Sequence, residues 1–148
     1  MDDMLGYIRG QAPSFPTAES VGDREWGSEN LLCLVSGSFM MKELVVRAGC
    51  KGGLQYHRLK NECAFLVEGR MIIRYSNDGV SLQEKIIGPG DVVHFPPGTV
   101  HQEEAITDCK LIECSTPHFN DRVRMEDEFK LGIDGGLPST QLNDITFK

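Results

Sequence analysis

The sequence predicts an all-β fold, either a sandwich or a closed barrel. From Trp26 to Ser115, runs of five to eight residues rich in Val, Ile, Leu and Phe alternate with clusters of Gly, Pro, Asn and Asp. Short apolar runs bounded by turn residues are typical of β-strands. The turn signals recur about every 8–12 residues, a spacing found in sandwiches and barrels.

Nine strands are predicted in this region. They cover residues 31–36, 39–47, 54–59, 62–68, 70–76, 81–87, 91–95, 99–105 and 109–115. The turns between them include Gly52-Gly53, Gly69, Asn77-Asp78-Gly79, Gly88-Pro89-Gly90 and Pro96-Pro97-Gly98. Gly, Pro, Asn and Asp favour turns because each permits or imposes a backbone conformation that a strand does not use.

The chain of 148 residues is predicted to hold one folded domain, because this length buries enough surface for a single core. Residues 1–22 are polar with Pro and Gly, and they predict an irregular N-terminal arm. Residues 23–130 are the predicted domain, in which 120–131 is expected to form a helix or an extended tail piece. Residues 131–148 show no period and predict a loose C-terminal tail.

Composition narrows the function classes. The chain has 15 basic and 22 acidic residues and a formal charge of −7, so a phosphate-backbone surface for nucleic acid is not expected. No apolar run approaches the ~18 residues of a membrane span, and the first ten residues lack the features of a signal peptide. We therefore expect a cytoplasmic protein without membrane association. Five cysteines without a CxxC pair predict reduced thiols rather than disulfides or a zinc knuckle.

Four residues have the types and spacings that suit a divalent metal. Gln55 and His57 share one face of a strand, because side chains alternate along it. Glu62 follows after a short turn, and His101 begins a later strand beyond a Pro-Pro-Gly turn. Two imidazoles, a carboxylate and an amide oxygen suit Zn, Mn, Fe, Co or Ni. Taken alone, histidines in apolar strands are more often structural than metal ligands, so the residues around them decide.

Those surroundings form two spaced motifs. The first is Gly49-x5-Gln55-x-His57-x4-Glu62-x6-Gly69, and the second is Gly90-x5-Pro96-x-Gly98-x2-His101. Together they resemble the cupin motifs G(X)5HXH(X)3,4E(X)6G and G(X)5PXG(X)2H(X)3N. Gln55 stands at the first histidine position and Ala105 at the terminal asparagine position. The resemblance implies a double-stranded β-helix, the cupin jelly-roll barrel, around a bound metal.

Within the cupins, residues 23–130 are similar to type II mannose-6-phosphate isomerases, which also occur fused behind mannose-1-phosphate guanylyltransferases. The similar segments are Arg24-Glu25-Trp26-Gly27-Ser28, Leu54-Gln55-Tyr56-His57, Ser115-Thr116-Pro117 and Asp121-Arg122-Val123-Arg124-Met125-Glu126-Asp127. In that family Gln, His, Glu and His hold the metal, which implies the same role for Gln55, His57, Glu62 and His101.

The chain departs from those isomerases where they carry the run HHHRAEHW. Here the stretch reads His57-Arg58-Leu59-Lys60-Asn61-Glu62-Cys63-Ala64. Leu59 replaces an inward-facing histidine, and Lys60 replaces an arginine tied to the reaction and lacks its bidentate fork. The family's YGR ending is also absent, since the chain continues Glu128-Phe129-Lys130-Leu131. The metal ligands are kept and the substrate wall is changed.

Two further residues are catalytic candidates. Strand parity from His101 puts Glu103 on the inner face as a base or substrate contact, although a solvated strand carboxylate is the alternative. Lys60 is its electrostatic partner. Lys42 and Arg47 lie on a strand that faces the cavity or its outer wall, and we expect both to be surface charges. His94 and His118 are expected to be structural.

Three function classes follow from this pattern. The first is a sugar-phosphate isomerase or epimerase that moves a proton next to a carbonyl with metal assistance. The second is an iron-dependent dioxygenase-type cupin, and the third a non-catalytic sugar-binding cupin, which the changed isomerase run favours. Fold alone does not choose among them. The expected partners are a sugar or sugar phosphate and a second copy of the chain in a homodimer, by family analogy.

Overall fold

A computed structural model describes residues 10–133 and 136–148, and it confirms the all-β class. This part of the chain contains no α-helix and only one 3-10 turn, Leu142–Asp144. None of its helical segments has the length and apolar character needed to cross a bilayer. The strands are β1 (Glu19–Arg24), β2 (Gly27–Val35), β3 (Phe39–Val46), β4 (Gln55–Tyr56), β5 (Glu62–Glu68), β6 (Met71–Tyr75), β7 (Gln83–Ile87), β8 (Val92–Phe95), β9 (His101–Ala105), β10 (Cys109–Ser115), β11 (His118–Phe119), β12 (Val123–Arg124) and β13 (Thr146–Phe147).

Two antiparallel sheets enclose the core. One has the strand order β1-β2-β3-β10-β5-β8, and the other has the order β12-β4-β9-β6-β7. Strands distant in sequence lie side by side, as a jelly roll requires. Apolar side chains from both sheets meet at one end of the interior; among them are Leu44, Leu66, Met71, Ile73, Ile87, Ala105 and Leu111. This apolar end supports the more polar end, which holds the candidate ligands.

Most predicted strands match the observed ones within two residues at each end. Strands β1, β11, β12 and β13 lie outside the nine predicted ones, and β2 begins four residues before the predicted 31. Strand β4 is shorter than the predicted 54–59. Its pairing ends at Tyr56 because the next N–H groups do not bond to a strand. The backbone N–H groups of Arg58, Leu59 and Lys60 all donate to the carboxylate of Asp121 instead. Gly69 and Gly98, two of the motif glycines, have φ of +95° and +85°, and a Cβ on Gly69 would lie 2.3 Å from the Asp108 carbonyl oxygen.

The two ends of the chain are partly strand. Residues 1–9 of the predicted arm lie outside the described residues, 10–18 are irregular, and β1 begins at Glu19. The segment 120–131 takes the extended alternative, with β12 followed by turns rather than a helix. In the predicted tail, β13 pairs with β11. This pairing anchors the end of the chain to the domain, where the sequence had suggested only a loose segment.

Lys42 was expected at the surface, and this was wrong. Its side chain is 7% exposed on β3, and its Nζ lies 2.7 Å from Oε1 of Glu29. Arg24 contacts the other oxygen of Glu29 at 3.2 Å. Burial alone would raise the pKa of Glu29, but Lys42 and Arg24 lower it below its ordinary value. The ion pair offsets the cost of burying the Lys42 ammonium. No sequence pattern predicts this ion pair.

Substitution Glu29→Gln is expected to lower the free energy of unfolding by about 2 kcal/mol at neutral pH, because it leaves Lys42 buried without its charged partner. The folded-state pKa of Glu29 is depressed, so its contribution is present above the unfolded pKa and is lost as pH falls through the folded value. Denaturant unfolding at neutral and acid pH measures this. The difference between wild type and variant should shrink on acidification. Glu25→Gln, at an exposed turn position, is the control, and an equal loss in both variants would contradict the assignment.

Candidate metal centre

Three of the four predicted ligands come together at the polar end of the interior. His57 directly follows β4, Glu62 begins β5 and His101 begins β9. The ligand atoms of these three residues lie within 4.8 Å of one another. Nε2 of His57 is 3.4 Å from Oε1 of Glu62, and Nε2 of His101 is 3.1 Å from the same oxygen. Two ring nitrogens and a carboxylate therefore converge on one small volume.

Both imidazoles are held by their other ring nitrogen. Nδ1 of His101 donates to the carbonyl oxygen of Thr99 at 2.9 Å, and Nδ1 of His57 donates to the carbonyl oxygen of Asp121. In a neutral ring with Nδ1 protonated, the lone pair is on Nε2, the atom that could bind a metal beside Glu62. Metal-binding histidines are commonly oriented in this way. The ring of Phe95 stacks on His101 at 4.0 Å between centroids and fixes its plane.

Asp121 holds the turn that carries His57 and leads to Glu62. It is 2% exposed, and its carboxylate accepts three backbone N–H groups at 2.7–3.0 Å. Burial alone would raise the pKa of Asp121, but these donors lower it. From the sequence, Asp121 had no assigned role beyond its place in the isomerase-like segment that runs from Asp121 to Asp127. A carboxylate that acts only through the backbone of a distant turn leaves no spacing signal.

Lys60 lies behind the ligand carboxylate. Its Nζ is 2.7 Å from Oε2 of Glu62 and 2.7 Å from Oε1 of Glu113, which also accepts a hydrogen bond from Ser115 Oγ at 3.0 Å. Burial opposes the charge on Lys60, but the two carboxylates raise its pKa. Burial likewise opposes the charge on Glu62, and Lys60 followed by the histidines holds its pKa well below the ordinary value. Glu62 is thus held ionised, with Oε1 turned toward the imidazoles.

Glu103 faces the same interior. Its Cα partner on β6 is Ile73, which is 2% exposed, and its side chain lies two residues along β9 from His101. Burial raises the pKa of Glu103 to about 7, and the neighbouring carboxylates of Glu62 and Glu113 act in the same direction. By accessible surface Glu103 is half-buried, so its carboxyl group is neither freely solvated nor fully enclosed.

Gln55 is the Cα partner of His101 across β4 and β9. Directly opposed residues of an antiparallel pair present their side chains on one face, so Gln55 lies beside the three grouped ligands. The residues predicted to be structural lie elsewhere. Nε2 of His94 is 2.8 Å from Oδ1 of Asn61, and His118 packs on Phe147 with centroids 4.8 Å apart.

The donors and the charge of the site fit a divalent cation. Borderline metals such as Zn, Mn, Fe, Co and Ni accept mixed nitrogen and oxygen ligands. Glu62 and Glu113 both contact the ammonium of Lys60, and Glu103 adds a further carboxyl group nearby, so the cluster would attract a cation. The side chains of His57, Glu62 and His101 are 11%, 8% and 5% exposed, which leaves the centre nearly closed to solvent. These features suit a bound metal with a narrow approach.

Comparison with known proteins identifies the domain around this site. Residues 43–114 match the model of the cupin domain family, a range from β3 to β10 that includes all four predicted ligands. Germin-like protein subfamily T member 3 of Arabidopsis thaliana is 34% identical over 53 residues, which are 34% of this chain and 23% of that protein.

Solved structures share the fold. An RmlC-like cupin from Shewanella frigidimarina superposes with a TM-score of 0.61 at 20% identity, over 72% of this chain and 93% of that one. KdgF from Halomonas sp. gives 0.58 at 16%, over 67% and 87%. The capsular polysaccharide assembling protein CapF from Staphylococcus aureus gives 0.58 at 21%, over 69% and 28%. The chain spans less than a third of CapF and of the germin-like protein, so the likeness extends to the cupin fold and no further.

Substitution Asp121→Asn is expected to weaken zinc binding by about 10- to 100-fold, because it removes an acceptor from the turn that positions His57 and Glu62. Competition with a chromophoric chelator measures the affinity of the purified chain. Asp127→Asn removes an exposed carboxylate six residues along and should bind zinc as the wild type does. Equal affinity in both variants would show that Asp121 does not support the centre.

Proposed function

Because residues 43–114 carry a cupin domain, we propose that this protein is a metal-dependent, sugar-phosphate isomerase- or epimerase-like enzyme. His57, Glu62, His101 and Gln55 would hold the divalent metal. The convergence of two Nε2 atoms on Oε1 of Glu62 carries the proposal. Zn, Mn, Fe, Co and Ni all suit this donor set.

The bound metal would supply a Lewis acid that polarises a substrate carbonyl oxygen. Glu103 is the proposed base: its carboxylate would take the proton from the hydroxyl-bearing carbon beside the carbonyl and return it to the carbonyl carbon, while the hydroxyl proton passes to the former carbonyl oxygen. A group that titrates near neutral pH can both accept and release a proton under working conditions. The nearly closed site keeps competing water away from the reacting carbons.

For Lys60, the contacts support positioning rather than substrate binding. Its ammonium is 7% exposed and lies 2.7 Å from Glu62 and from Glu113, so its hydrogen bonds go to protein carboxylates. We propose that it aims Glu62 at the metal. We also propose that Lys60 acts electrostatically on the substrate through the carboxylates of Glu62 and Glu113.

The proposed substrate class is a sugar or sugar phosphate. It rests on the resemblance of residues 23–130 to the isomerases. CapF, a structural neighbour described as a capsular polysaccharide assembling protein, belongs to the same area of chemistry. We also propose a cytoplasmic homodimer. Five free thiols suit a reducing compartment. Exposed Phe39, Phe65 and Val92 on the outer face of the six-stranded sheet suit a contact with a second copy.

A non-catalytic sugar-binding cupin is the second candidate. The observation that favours it is the engagement of Lys60 by Glu62 and Glu113, at the position where the isomerases place a reactive arginine. Leu59, where they have an inward-facing histidine, is 50% exposed and points to solvent. Such a protein would bind the sugar phosphate without converting it.

Single substitutions His57→Ala, Glu62→Ala, His101→Ala and Gln55→Ala are expected to weaken zinc or manganese binding. For the first three variants the loss of metal affinity should exceed about 100-fold. Removing a residue that only orients a ligand typically costs up to that much. Metal content after purification without added ions, followed by chelator competition, measures this. His94→Ala and His118→Ala remove imidazoles that lie elsewhere and should leave binding unchanged. Retained metal in the ligand variants would refute the centre.

Substitution Glu103→Gln is expected to lower conversion of mannose 6-phosphate to fructose 6-phosphate by about 100- to 10,000-fold, because the amide cannot accept the proton. Metal content should stay at the wild-type level, which separates loss of the base from loss of the metal. Glu104→Gln, at the next position on β9, is the matched control. Wild-type protein that binds the sugar phosphate without turnover would favour the second candidate, and turnover that persists in Glu103→Gln would exclude Glu103 as the base.

A further inference from the structure

Two cysteines lie directly opposite each other on the outer face of the six-stranded sheet. Cys63 on β5 is the Cα partner of Cys114 on β10. Their inward neighbours Glu62 and Ser115 are also partners, and both are buried. Because side chains alternate along a strand, the two thiols point outward, away from the candidate metal centre.

The register sets the Cα separation of these two residues within the range that a disulfide spans. Opposed residues of an antiparallel pair have Cα atoms about 4.5 or 5.5 Å apart, and both separations lie inside the range that a disulfide spans. Among the strand pairings of residues 10–133 and 136–148, this is the only one that sets two cysteines opposite each other. Cys33 is opposite Met41, and Cys109 is opposite Val46.

Solvent reaches the pair. Cys114 is exposed and Cys63 is half-buried. Both line a surface cavity of about 260 Å³, whose other lining residues include Phe39, His94 and Glu62. A small oxidant such as a peroxide fits a cavity of this size. Cys109, in contrast, is buried and donates to the carbonyl oxygen of Arg70 at 3.2 Å.

We propose that Cys63 and Cys114 are a peroxide-sensitive modification site that closes to a disulfide between β5 and β10. The exposed thiol of Cys114 attacks one peroxide oxygen: an S–O bond forms, the O–O bond breaks and water leaves, giving a sulfenic acid. Cys63 then attacks that sulfur, the S–O bond breaks, and the hydroxide leaves as water with the Cys63 proton. Two thiols and one hydrogen peroxide thus yield one disulfide and two waters.

This pair is independent of the proposed isomerase chemistry, which uses the inner face of the same strands. The first member to react is Cys114 because reactivity follows exposure, and the partner resolves the sulfenic acid because no other thiol is in register. The Glu62–Ser115 pair lies one row inside the proposed bond. A disulfide between Cys63 and Cys114 would therefore link the two strands that carry Glu62 and Ser115.

The test treats the reduced full chain with a small excess of hydrogen peroxide, blocks the remaining thiols by alkylation and maps the peptides under non-reducing conditions. We expect three alkylated cysteines, a Cys63–Cys114 cross-linked peptide within one chain, and five alkylated cysteines again after dithiothreitol. Cys114→Ser should leave Cys63 reduced and alkylated, and Cys33→Ser, on the same face beside Met41, should form the cross-link as the wild type does.

Several results would overturn the proposal. They are five free thiols after peroxide, over-oxidation of Cys114 without a cross-link, or disulfides that involve Cys33 or join two chains. Cys63→Ser is the second variant that removes a member of the pair. Because Cys63 lies beside Glu62, the folding of this variant is checked by thermal unfolding. If that variant does not fold, Cys114→Ser carries the comparison, because its position is exposed.

Discussion

The hydrogen bonds of Asp121 are the constraint on which the candidate metal centre depends. Its carboxylate binds three successive backbone N–H groups, and its carbonyl oxygen orients His57. One residue near the end of the domain thereby ends β4, shapes the turn and sets the direction in which the chain enters β5. His57 lies before this turn and Glu62 after it, so the hydrogen bonds of Asp121 bring these two side chains together.

Charge balance is the second constraint on the interior. The carboxylates of Glu62 and Glu113 both contact the ammonium of Lys60, and Glu103, whose pKa burial raises to about 7, lies near them. Ionised carboxylates out of water are costly unless cations and hydrogen bonds compensate them. A divalent metal would compensate the excess, which links the electrostatics of the cluster to its proposed function. The buried ammonium of Lys42 is compensated in the same way by the carboxylate of Glu29.

Much of the fold and part of the site could be predicted from local pattern. Strands and turns were found because apolar alternation and turn residues act over a few positions, and the grouping of His57, Glu62 and His101 agrees with their motif spacing. Asp121 and the burial of Lys42 were missed. Both depend on contacts between segments far apart in the chain, and neither leaves a periodic trace.

By itself, the sequence determined the all-β class, the positions of the central strands, the two-motif frame and the residue types available for a metal, because these follow from spacing within short segments. Only the tertiary structure decided that Lys60 contacts two carboxylates, that Glu103 is half-buried near Glu62 and Glu113, and that Cys63 lies opposite Cys114 on the outer face. Each of these depends on which strands become neighbours and in what register. That choice is made by burial of the whole core, and a one-residue slip would turn every side chain to the other face.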